Sequence, residues 1–334
     1  MKNKAIPLVS IITPCFNGEK FIQRYIESIL NQTYKNIEFI FIDDGSTDNT
    51  KNIALQYKAK FEEKGYIFRY IYQNNSGQAA ALNQGLNIFE GDYLTWPDSD
   101  DVLANNSIEE KVEFLNIHSD YSMVRSNGYY FNNNSMKSIG RISSASSRFN
   151  ENIFFDLFTE KTFCSCGCYM LRSGLFFTCY PDRQIYAGIG SQNWQLLVPA
   201  ASKSKCGFID KDLYFVYSHH DSFCRKSRDF DGWILRYEDH INILYSAFDH
   251  STCDIQFCRQ IVDKIFIRKK IELACKFRNI KYAKNMINIL TKEGYFKVWD
   301  YIYYLRIYSI VFNFIYIVIN KAMRNLRNKI LKLT

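Results

Sequence analysis

The segment IEFIFIDDGSTDNT, residues 37–50, carries the strongest structural signal in the chain. Its first six residues are almost all apolar and β-branched or aromatic, and a polar run with two adjacent aspartates follows at once. A short apolar run that ends in turn-forming residues is typical of a strand buried on both faces of a sheet. GDYLTWPDSDD, residues 91–101, repeats this arrangement. Both segments therefore predict buried strands whose carboxyl ends carry acidic side chains.

Strands and helices alternate on either side of these segments. The predicted strands are residues 8–13, 37–42, 66–72 and 91–96, and the predicted helices are residues 18–32 and 76–89. Apolar side chains recur at helical spacing through residues 18–32, which gives that helix one buried face. This order is typical of an α/β fold with a mostly parallel central sheet flanked by helices. Ligands of such sheets bind beyond the carboxyl ends of the strands.

The rest of the chain is less regular. Residues 107–118 predict a helix, residues 121–131 and 163–171 predict strands, and helical periodicity dominates from residue 232. CSCGC, residues 164–168, alternates its cysteines on one face of the last strand, a spacing that does not match zinc sites. We interpret these cysteines as buried, small apolar side chains. The ten cysteines of the chain are expected to be reduced thiols.

Aspartates cluster at the ends of two predicted strands: Asp43 and Asp44 follow the first, and Asp98, Asp100 and Asp101 follow the second. Carboxylates this close repel one another, so they persist in water or around a cation. One acidic turn alone is commonly a solvated turn, because aspartate favours turns on its own account. Two such turns at the carboxyl ends of parallel strands favour a site that binds a cation.

Five ordered segments together resemble family 2 glycosyltransferases of the GT-A fold. They are LVSIITPCFN (8–17), QTY (32–34), EFIFIDDGSTD (38–48), NNSGQAAALNQGL (74–86) and GDYLTWPDSDD (91–101). The resemblance is dense over residues 7–105 and looser to about residue 225. It implies a GT-A fold with a Rossmann-like nucleotide-binding half, and an inverting transfer of sugar from a nucleotide with the help of a divalent metal.

The resemblance assigns nucleotide-binding roles by position. Asp44 would accept the N3–H of uracil, and Pro14 and Phe16 would line the base pocket, where an aromatic ring can stack on the base. Gly77 and Gln78 open the predicted helix 76–89 and would lie close to the nucleotide. An ordinary helix N-terminus is the alternative for these two residues.

The resemblance also assigns the metal and phosphate ligands. Asp98 and Asp100 form a DxD motif, in which Asp98 faces the ribose and sugar and Asp100 ligates Mn²⁺ or Mg²⁺ on the two phosphates. Oxygen ligands and a diphosphate suit these hard cations. Farther along, His219 or His220 could touch the metal or diphosphate, and Arg225 could bind the phosphates. A polar surface loop is the alternative for this last segment.

The catalytic base is where the sequence departs from the family. An inverting transfer needs a carboxylate that takes the proton of the attacking hydroxyl. The family usually supplies a Glu-Asp pair before an apolar helix, and Gln192 and Asn193 occupy that position here. Either this amide pair only positions the acceptor and another carboxylate is the base, or the chain is inactive. Asp182 is the nearest candidate base, with Asp101 and Asp221 as further candidates.

Charge is divided unevenly along the chain of 334 residues. The whole chain has 42 Lys and Arg against 34 Asp and Glu, yet residues 264–334 hold 16 basic and 3 acidic residues. We expect a GT-A domain at 1–230, with a nucleotide-binding half at 1–105 and an acceptor-binding half at 106–230. A helical region at 231–334 would follow, with an apolar helix at 298–320 and a basic tail at 321–334.

The apolar helix and the basic tail together predict contact with a membrane surface. Residues 301–319 contain a single charge, Arg306, and are rich in tyrosine, which favours an interfacial or partly inserted helix over a spanning one. The basic tail suits an anionic leaflet. A helix packed on the protein with a solvated tail is the alternative. Nucleic acid is a poorer partner, because no DNA- or RNA-binding pattern is evident.

These features predict a transferase that moves one hexose from a UDP-sugar, UDP-glucose or UDP-galactose being favoured, in β-linkage to a lipid-linked acceptor. The acceptor would be undecaprenyl diphosphate bearing GlcNAc or GalNAc, as in O-antigen or capsule assembly. Residues 1–9 lack the apolar core of a secretory signal, so we expect a cytoplasmic protein, peripheral on the inner face of the cell membrane. The alternative is a non-catalytic sugar-nucleotide-binding protein of a polysaccharide assembly complex.

Overall fold

The computed structural model of the protein describes residues 6–190, 192–218 and 227–330, with the side chains of 311 and 324–330 left out. The chain divides into two compact units. The first comprises Met1–Arg225 and Asn242–Cys253, and the second comprises Lys226–Ile241 and Asp254–Thr334. The first change of unit lies close to the domain division predicted at residue 230, and the chain then rejoins the first unit for residues 242–253.

The first part of the sheet is built as the alternating sequence pattern predicts. Its elements are β1 (Val9–Cys15), α1 (Ile22–Leu30), β2 (Ile37–Asp43), α2 (Thr50–Gln56), α3 (Lys58–Glu63), β3 (Ile67–Tyr72), α4 (Gln78–Ile88) and β4 (Tyr93–Thr95). The four strands lie in the order β3-β2-β1-β4, and every neighbouring pair is parallel. β1 and β2 are buried at every position, as expected for central strands covered on both faces.

Strand register brings the two acidic segments to one edge of the sheet. Cys15 lies beside Asp43 at the ends of β1 and β2. β4 ends with Thr95 beside Ile11, and four residues farther on the Ser99 side chain is hydrogen-bonded to the Cys15 thiol at the end of β1. Both acidic segments therefore leave the sheet at its carboxyl edge.

Beyond β4 the sheet becomes mixed. The next elements are β5 (Val102–Leu103), α5 (Ser107–Ile117), β6 (Met123–Asn132), β7 (Ser138–Arg141), α6 (Phe154–Phe158), β8 (Tyr169–Arg172), α7 (Ser173–Cys179), α8 (Gln192–Lys203) and β9 (Cys206–Ser218). The full order is β3-β2-β1-β4-β8-β6-β9-β5, with β7 paired to β6. β8 runs antiparallel to β4, β6 and β9 are parallel, and β5 is antiparallel to β9. β5 thus ties the residues that follow the DxD motif to β9.

The strand predicted at 163–171 begins later than expected. Cys166–Cys168 form a 3₁₀ turn, and the strand starts at Tyr169. The buried Lys111 ammonium stabilises this turn by donating to the Gly167 carbonyl at 2.9 Å. Cys166 and Cys168 are buried as predicted, although in a turn rather than on one strand face. All nine cysteines of the described residues are free thiols.

Helices dominate the described residues that follow β9. They are α9 (Phe230–Asp249), α10 (Ile255–Lys276), α11 (Ile280–Lys292), α12 (Tyr301–Tyr308) and α13 (Ile310–Ile330). In the second unit, α10, α11 and α12 bury one apolar core, which includes Ile271, Ile287 and Ile307. The Asp254 and Asn279 side chains cap α10 and α11 by accepting backbone N–H bonds.

The prediction of one continuous apolar helix at 298–320 is wrong. A 3₁₀ turn at Val298–Asp300 precedes α12, and Ser309 has extended backbone angles that separate α12 from α13. Arg306 is almost fully buried, because it pairs with Glu272 and donates to Asn313 Oδ1 at 3.0 Å. Arg306 is thus internal to the second unit and does not contribute to an interfacial helix surface. None of the helices in the described ranges is both long and apolar enough to cross a membrane.

Candidate functional site

Asp44, at the carboxyl end of β2, organises the turn that leads into α4. Its backbone N–H donates to the Cys15 carbonyl at 2.8 Å. One carboxylate oxygen accepts from Gln73 Nε2 at 2.6 Å and from the Ser76 N–H at 2.8 Å, and the other accepts from the Gly77 N–H at 2.9 Å. A carboxylate offers about four acceptor positions, so three protein donors leave space for one further donor.

Asp43 is buried, and both oxygens of its carboxylate accept hydrogen bonds from neighbouring protein groups. Its carboxylate accepts from the Tyr70 hydroxyl at 2.6 Å and from the Ser46 N–H at 2.8 Å. The adjacent aspartates of this segment therefore differ in role: Asp43 holds β3 and the polar turn, whereas Asp44 holds the start of α4.

Phe16 directly follows β1 and remains 52% exposed. It lies next to Cys15, whose carbonyl is bound to the Asp44 backbone, so an exposed aromatic ring and the Asp44 carboxylate belong to one sheet edge. Pro14 is buried within β1, in register with Ile42. Of the two residues predicted to line a base pocket, Phe16 thus offers an exposed ring, whereas Pro14 is part of the buried strand.

Asp98 and Asp100 are partly buried at the end of the segment after β4. Asp98 accepts from Gln78 Nε2 at 2.9 Å. Burial and the negative charge of Asp100 raise the pKa of Asp98 to about 6, against the lowering effect of hydrogen bonds from Cys166 and Gln78. A cation at this place would relieve the repulsion between the two carboxylates.

The first turn of α4 joins the two acidic clusters. Gly77 donates its N–H to Asp44, and the next residue, Gln78, donates its side-chain amide to Asp98. Gly77 has φ +90°, a conformation that side chains with a Cβ rarely adopt. The N-terminus of an 11-residue helix thus lies between both clusters, and such a helix end favours bound phosphate.

Asp101 does not have the surroundings of a base. Its carboxyl accepts from the Tyr214 hydroxyl at 2.6 Å and from the Tyr217 N–H at 2.8 Å, and it is buried. Burial, together with the charges of Asp100 and Asp98, raises its pKa well above the ordinary value. Asp101 therefore links the DxD segment to β9 and presents no free oxygen pair to a substrate.

Arg24 of α1 also holds the DxD segment, and sequence reasoning missed it. Its Nη2 donates to the Asp100 carbonyl at 2.8 Å, its Nη1 donates to Asn133 Oδ1 at 3.1 Å, and its guanidinium lies 3.6 Å from the centre of the Tyr217 ring. Burial lowers its pKa, although nearby Tyr217, Asp101 and Asp100 act in the opposite direction. In the sequence, an arginine on an amphipathic helix looks like any solvated residue.

Asn193 lies next to the segment that leads to the DxD motif. Its Oδ1 accepts from Trp96 Nε1 at 3.0 Å, and Trp96 precedes Asp98 by two residues. Gln192, the first residue of α8, is buried. Two amide side chains therefore occupy the position, next to the segment that leads to the DxD motif, at which the family resemblance predicts a carboxylate pair.

Asp182 is not brought together with these residues. The neighbouring Arg183 donates to the Asn87 carbonyl at 2.7 Å, and Gln184 donates to Asn87 Oδ1 at 2.8 Å, so this segment lies at the C-terminal end of α4. Gln78 at the other end of α4 contacts Asp98, and a helix of this length measures about 15 Å. Asp182 is exposed, and its carboxylate accepts from the Gln184 N–H at 3.3 Å.

His219, His220, Asp221 and Arg225 lie outside the described residues. Across the part that is described, no group of three or more His, Cys, Asp or Glu side chains is arranged to hold a metal. Asp98 and Asp100 nevertheless fit Mg²⁺ or Mn²⁺, because they are hard oxygen ligands whose mutual repulsion calls for a positive charge. Mg²⁺ in particular is commonly held by one or two carboxylates together with substrate phosphates.

Comparison with known proteins identifies the family. The model of glycosyl transferase family 2 matches residues 10–177, which is half of the chain. The chain therefore belongs to glycosyl transferase family 2, and the predicted family is confirmed.

Sequence relatives support the same assignment. An uncharacterized glycosyltransferase of Rickettsia typhi is 34% identical over 176 residues, which make up 53% of this chain and 53% of the relative. Glycosyltransferase GlyG of Streptococcus pneumoniae is 42% identical over 103 residues, or 30% of this chain and 33% of the relative. The chain thus matches about half, or less, of the length of these relatives.

Solved structures show the fold. Residues 1–349 of S. aureus TarS align with a TM-score of 0.56 at 18% identity, over 90% of this chain and 78% of that one. The mannosyltransferase PcManGT of Pyrobaculum calidifontis, solved with GDP-Man and Mn²⁺, aligns with a TM-score of 0.55 at 13% identity, over 92% and 86%. The predicted α/β fold of the GT-A type is confirmed, with a central sheet that is parallel from β3 to β4 and mixed beyond.

Proposed function

We propose that the protein is a metal-dependent transferase that moves one hexose from a UDP-sugar, with inversion, to a lipid-linked saccharide. One observation carries this proposal. The first turn of α4 connects the Asp44 carboxylate, beside the exposed Phe16 ring, to the Asp98 carboxylate of the DxD motif. The nucleobase of a nucleotide-sugar would lie at Asp44 and Phe16, its diphosphate at the first turn of α4, and the bound cation at Asp98.

The chain's own residues bind and orient the donor. Phe16 stacks on the uracil, and the remaining acceptor position of Asp44 takes the uracil N3–H. Cytosine lacks that proton, so the same carboxylate disfavours cytidine nucleotides. The helix end at Gly77 faces the diphosphate. Asp98 and Asp100 would hold a divalent cation, and such a cation would supply positive charge to offset the negative charge of the departing UDP.

The acceptor side positions a hydroxyl and removes its proton. Gln192 and Asn193 orient the acceptor by hydrogen bonds, since an amide does not take up a proton at neutral pH. The base is then a carboxylate from another segment. Of the three candidates, Asp221 is proposed as the base, because Asp182 lies at the end of α4 that is remote from Asp98 and both carboxylate oxygens of Asp101 accept hydrogen bonds from protein donors.

Donor and acceptor are proposed as UDP-glucose or UDP-galactose and undecaprenyl diphosphate-linked GlcNAc or GalNAc, in O-antigen or capsule assembly. A solved structure of TarS contains UDP-GlcNAc, which makes UDP-GlcNAc the natural third donor to compare. The test is a transfer assay with the three donors, Mn²⁺ and a GlcNAc-diphospho-lipid analogue. The expected result is a product with one added β-linked hexose. No product with any donor would contradict transfer.

A membrane surface is the proposed location, and α13 supports it. Apolar side chains exposed on this helix are Ile310, Phe314, Ile315, Ile317, Val318, Ile319 and Met323. Basic residues crowd the same helix and the tail, and an anionic surface attracts each of them by about 1 kcal/mol. Sedimentation with phosphatidylglycerol vesicles should exceed sedimentation with phosphatidylcholine vesicles. Replacement of Phe314 and Ile319 by serine should weaken sedimentation with phosphatidylglycerol vesicles, and unchanged sedimentation would contradict the use of this face.

A second candidate, a non-catalytic protein that binds sugar nucleotides, is favoured by the amides at 192–193. It predicts UDP binding without product under any condition. Asn193→Asp separates the two candidates, because a carboxylate there would keep the bond from Trp96 and add a base at the expected position. Turnover that appears only in Asn193→Asp would support the binding protein, and turnover by the unaltered chain would contradict it.

A further inference from the structure

The CSCGC segment has no part in the proposed function, yet it packs against Tyr214, which is hydrogen-bonded to the DxD segment. A Cβ on Gly167 would lie 2.1 Å from Cε2 of Tyr214, and a Cβ on Gly128 would lie 1.9 Å from the Tyr214 carbonyl oxygen. Because neither glycine has a Cβ, there is room for Tyr214 between them. Tyr214 itself is fully buried in β9.

The Tyr214 hydroxyl connects both ends of the DSDD segment. The Asp98 N–H donates to it at 3.2 Å, and it donates to Asp101 Oδ2 at 2.6 Å. The Cys166 thiol lies 3.9 Å from the same oxygen and also makes a hydrogen bond with the Asp98 side chain. The residues between these contacts, Ser99 and Asp100, are thus fixed from both sides.

We infer that Tyr214 is a positioning residue for the metal-binding motif, with the turn at Cys166–Cys168 as its support. The hydroxyl keeps the DSDD segment in the conformation in which Asp98 and Asp100 face one cation. Tyr214 touches neither metal nor donor in this role. Pre-formed ligands bind more tightly, because the cost of ordering the segment is already met in the free protein. This inference rests on the proposed metal-dependent binding of UDP.

Tyr214→Phe tests the inference, since it removes only the hydroxyl and keeps the ring between the glycines. UDP binding by the full chain is measured by calorimetry across a range of Mn²⁺ concentrations. Loss of one buried hydrogen-bonding group at both ends of the motif should raise the Mn²⁺ concentration for half-maximal UDP binding by about tenfold. An unchanged Mn²⁺ requirement would overturn the inference.

Tyr66→Phe is the matched control. Tyr66 is also buried, and its hydroxyl donates to the Tyr34 carbonyl at 2.8 Å, away from the acidic clusters. It should lower the melting temperature without changing the Mn²⁺ requirement. An equal change of the Mn²⁺ requirement in both variants would mean that Tyr214 acts through general stability, which also overturns the inference.

Two further outcomes keep this test separate from that of the proposed function. If the unaltered chain binds no UDP at any Mn²⁺ concentration, the proposed function fails and takes the inference with it. If the unaltered chain binds and Tyr214→Phe does not fold, Cys166→Ala decides in its place. Cys166→Ala should raise the Mn²⁺ requirement by about threefold, as expected for a weak thiol bond, and no change would overturn the inference.

Discussion

Aspartates occur at the ends of β2 and of the segment that follows β4, the two strands on either side of β1, and the surroundings of these aspartates differ. At the end of β2, Asp43 and Asp44 accept hydrogen bonds from several backbone and side-chain donors. At the end of β4, Asp98 accepts from Gln78 and Cys166 and is opposed by the charge of Asp100. The carboxylates of the first cluster accept hydrogen bonds from several protein donors, whereas in the second cluster the negative charge of Asp100 opposes ionisation of Asp98.

This difference assigns separate tasks to two segments that look alike in the sequence. A carboxylate already bound by protein donors is rigid and can read one more hydrogen-bond donor, as a base pocket requires. Carboxylates that repel one another are poised for a cation. We therefore expect metal dependence to reside at Asp98 and Asp100, and nucleoside recognition to reside at Asp44.

Asp98→Asn should have the largest effect. The substitution removes a charged metal ligand. Loss of a residue that only supports a ligand costs about 10–100-fold in metal affinity. Loss of the ligand itself should cost more, so we expect UDP binding in Mn²⁺ to weaken by about 1000-fold. Calorimetry with UDP and Mn²⁺ measures the change. Asp120→Asn, at an exposed turn, is the control for loss of one negative charge and should bind normally. Normal binding by Asp98→Asn would remove the metal from this cluster.

Lys111→Met probes the support beneath the second cluster. Burial lowers the pKa of the Lys111 ammonium from 10.5 to about 8, and its Nζ donates to Ser107 Oγ and the Gly167 carbonyl. Between pH 8 and 10.5 the unfolded chain holds this proton and the folded chain does not, so stability rises with pH. Relative to Lys111→Met, the unaltered protein should gain about 3 kcal/mol over this range. The free energies of unfolding of both proteins are measured in urea at each pH. A difference between them that stays the same from pH 8 to 10.5 would contradict a buried Lys111 with a lowered pKa.

Asp44→Asn should weaken UDP binding by about 30-fold without changing the Mn²⁺ requirement, since one buried acceptor is lost and an amide N–H then faces backbone donors. It should also reduce the preference for UDP over CDP, because an amide can donate to N3 of cytosine. Competition between the two nucleotides measures this ratio. A ratio that stays the same would place uracil recognition elsewhere.

Asp182→Asn should have the smallest effect. The carboxylate lies at the end of α4 that is remote from Asp98, and a base must come within hydrogen-bond reach of the acceptor hydroxyl. Turnover should change by less than about twofold. Loss of transfer with UDP binding intact would restore Asp182 as the base and would require the segment around it to approach Asn193.

Sequence reasoning found the parts of the fold and site that have local signals. β1 and β2 are apolar runs buried on both faces, and the polar segments after β2 and β4 reveal Asp44 and Asp98 directly. Tyr214 and Arg24 were missed because their roles depend on pairing: β9 follows the DxD motif by more than a hundred residues, and α1 precedes it. Nothing in their local sequence distinguishes them from core or surface residues.

Two other predictions failed for the same physical reason. The apolar stretch at 301–319 looked like one helix, but Arg306 turns inward to Glu272, 34 residues earlier. The alternating cysteines of CSCGC looked like a strand face, but Lys111 and Tyr214 hold them in a turn. In each case, partners distant in sequence override the local pattern.

Titration of the full chain with UDP, first with Mn²⁺ and then with excess EDTA, tests the division of tasks between the two clusters. We predict saturable UDP binding in Mn²⁺ that weakens by at least about 100-fold in EDTA. Equal UDP affinity in Mn²⁺ and EDTA, or no binding in either, would contradict a metal-dependent donor site at Asp98 and Asp100.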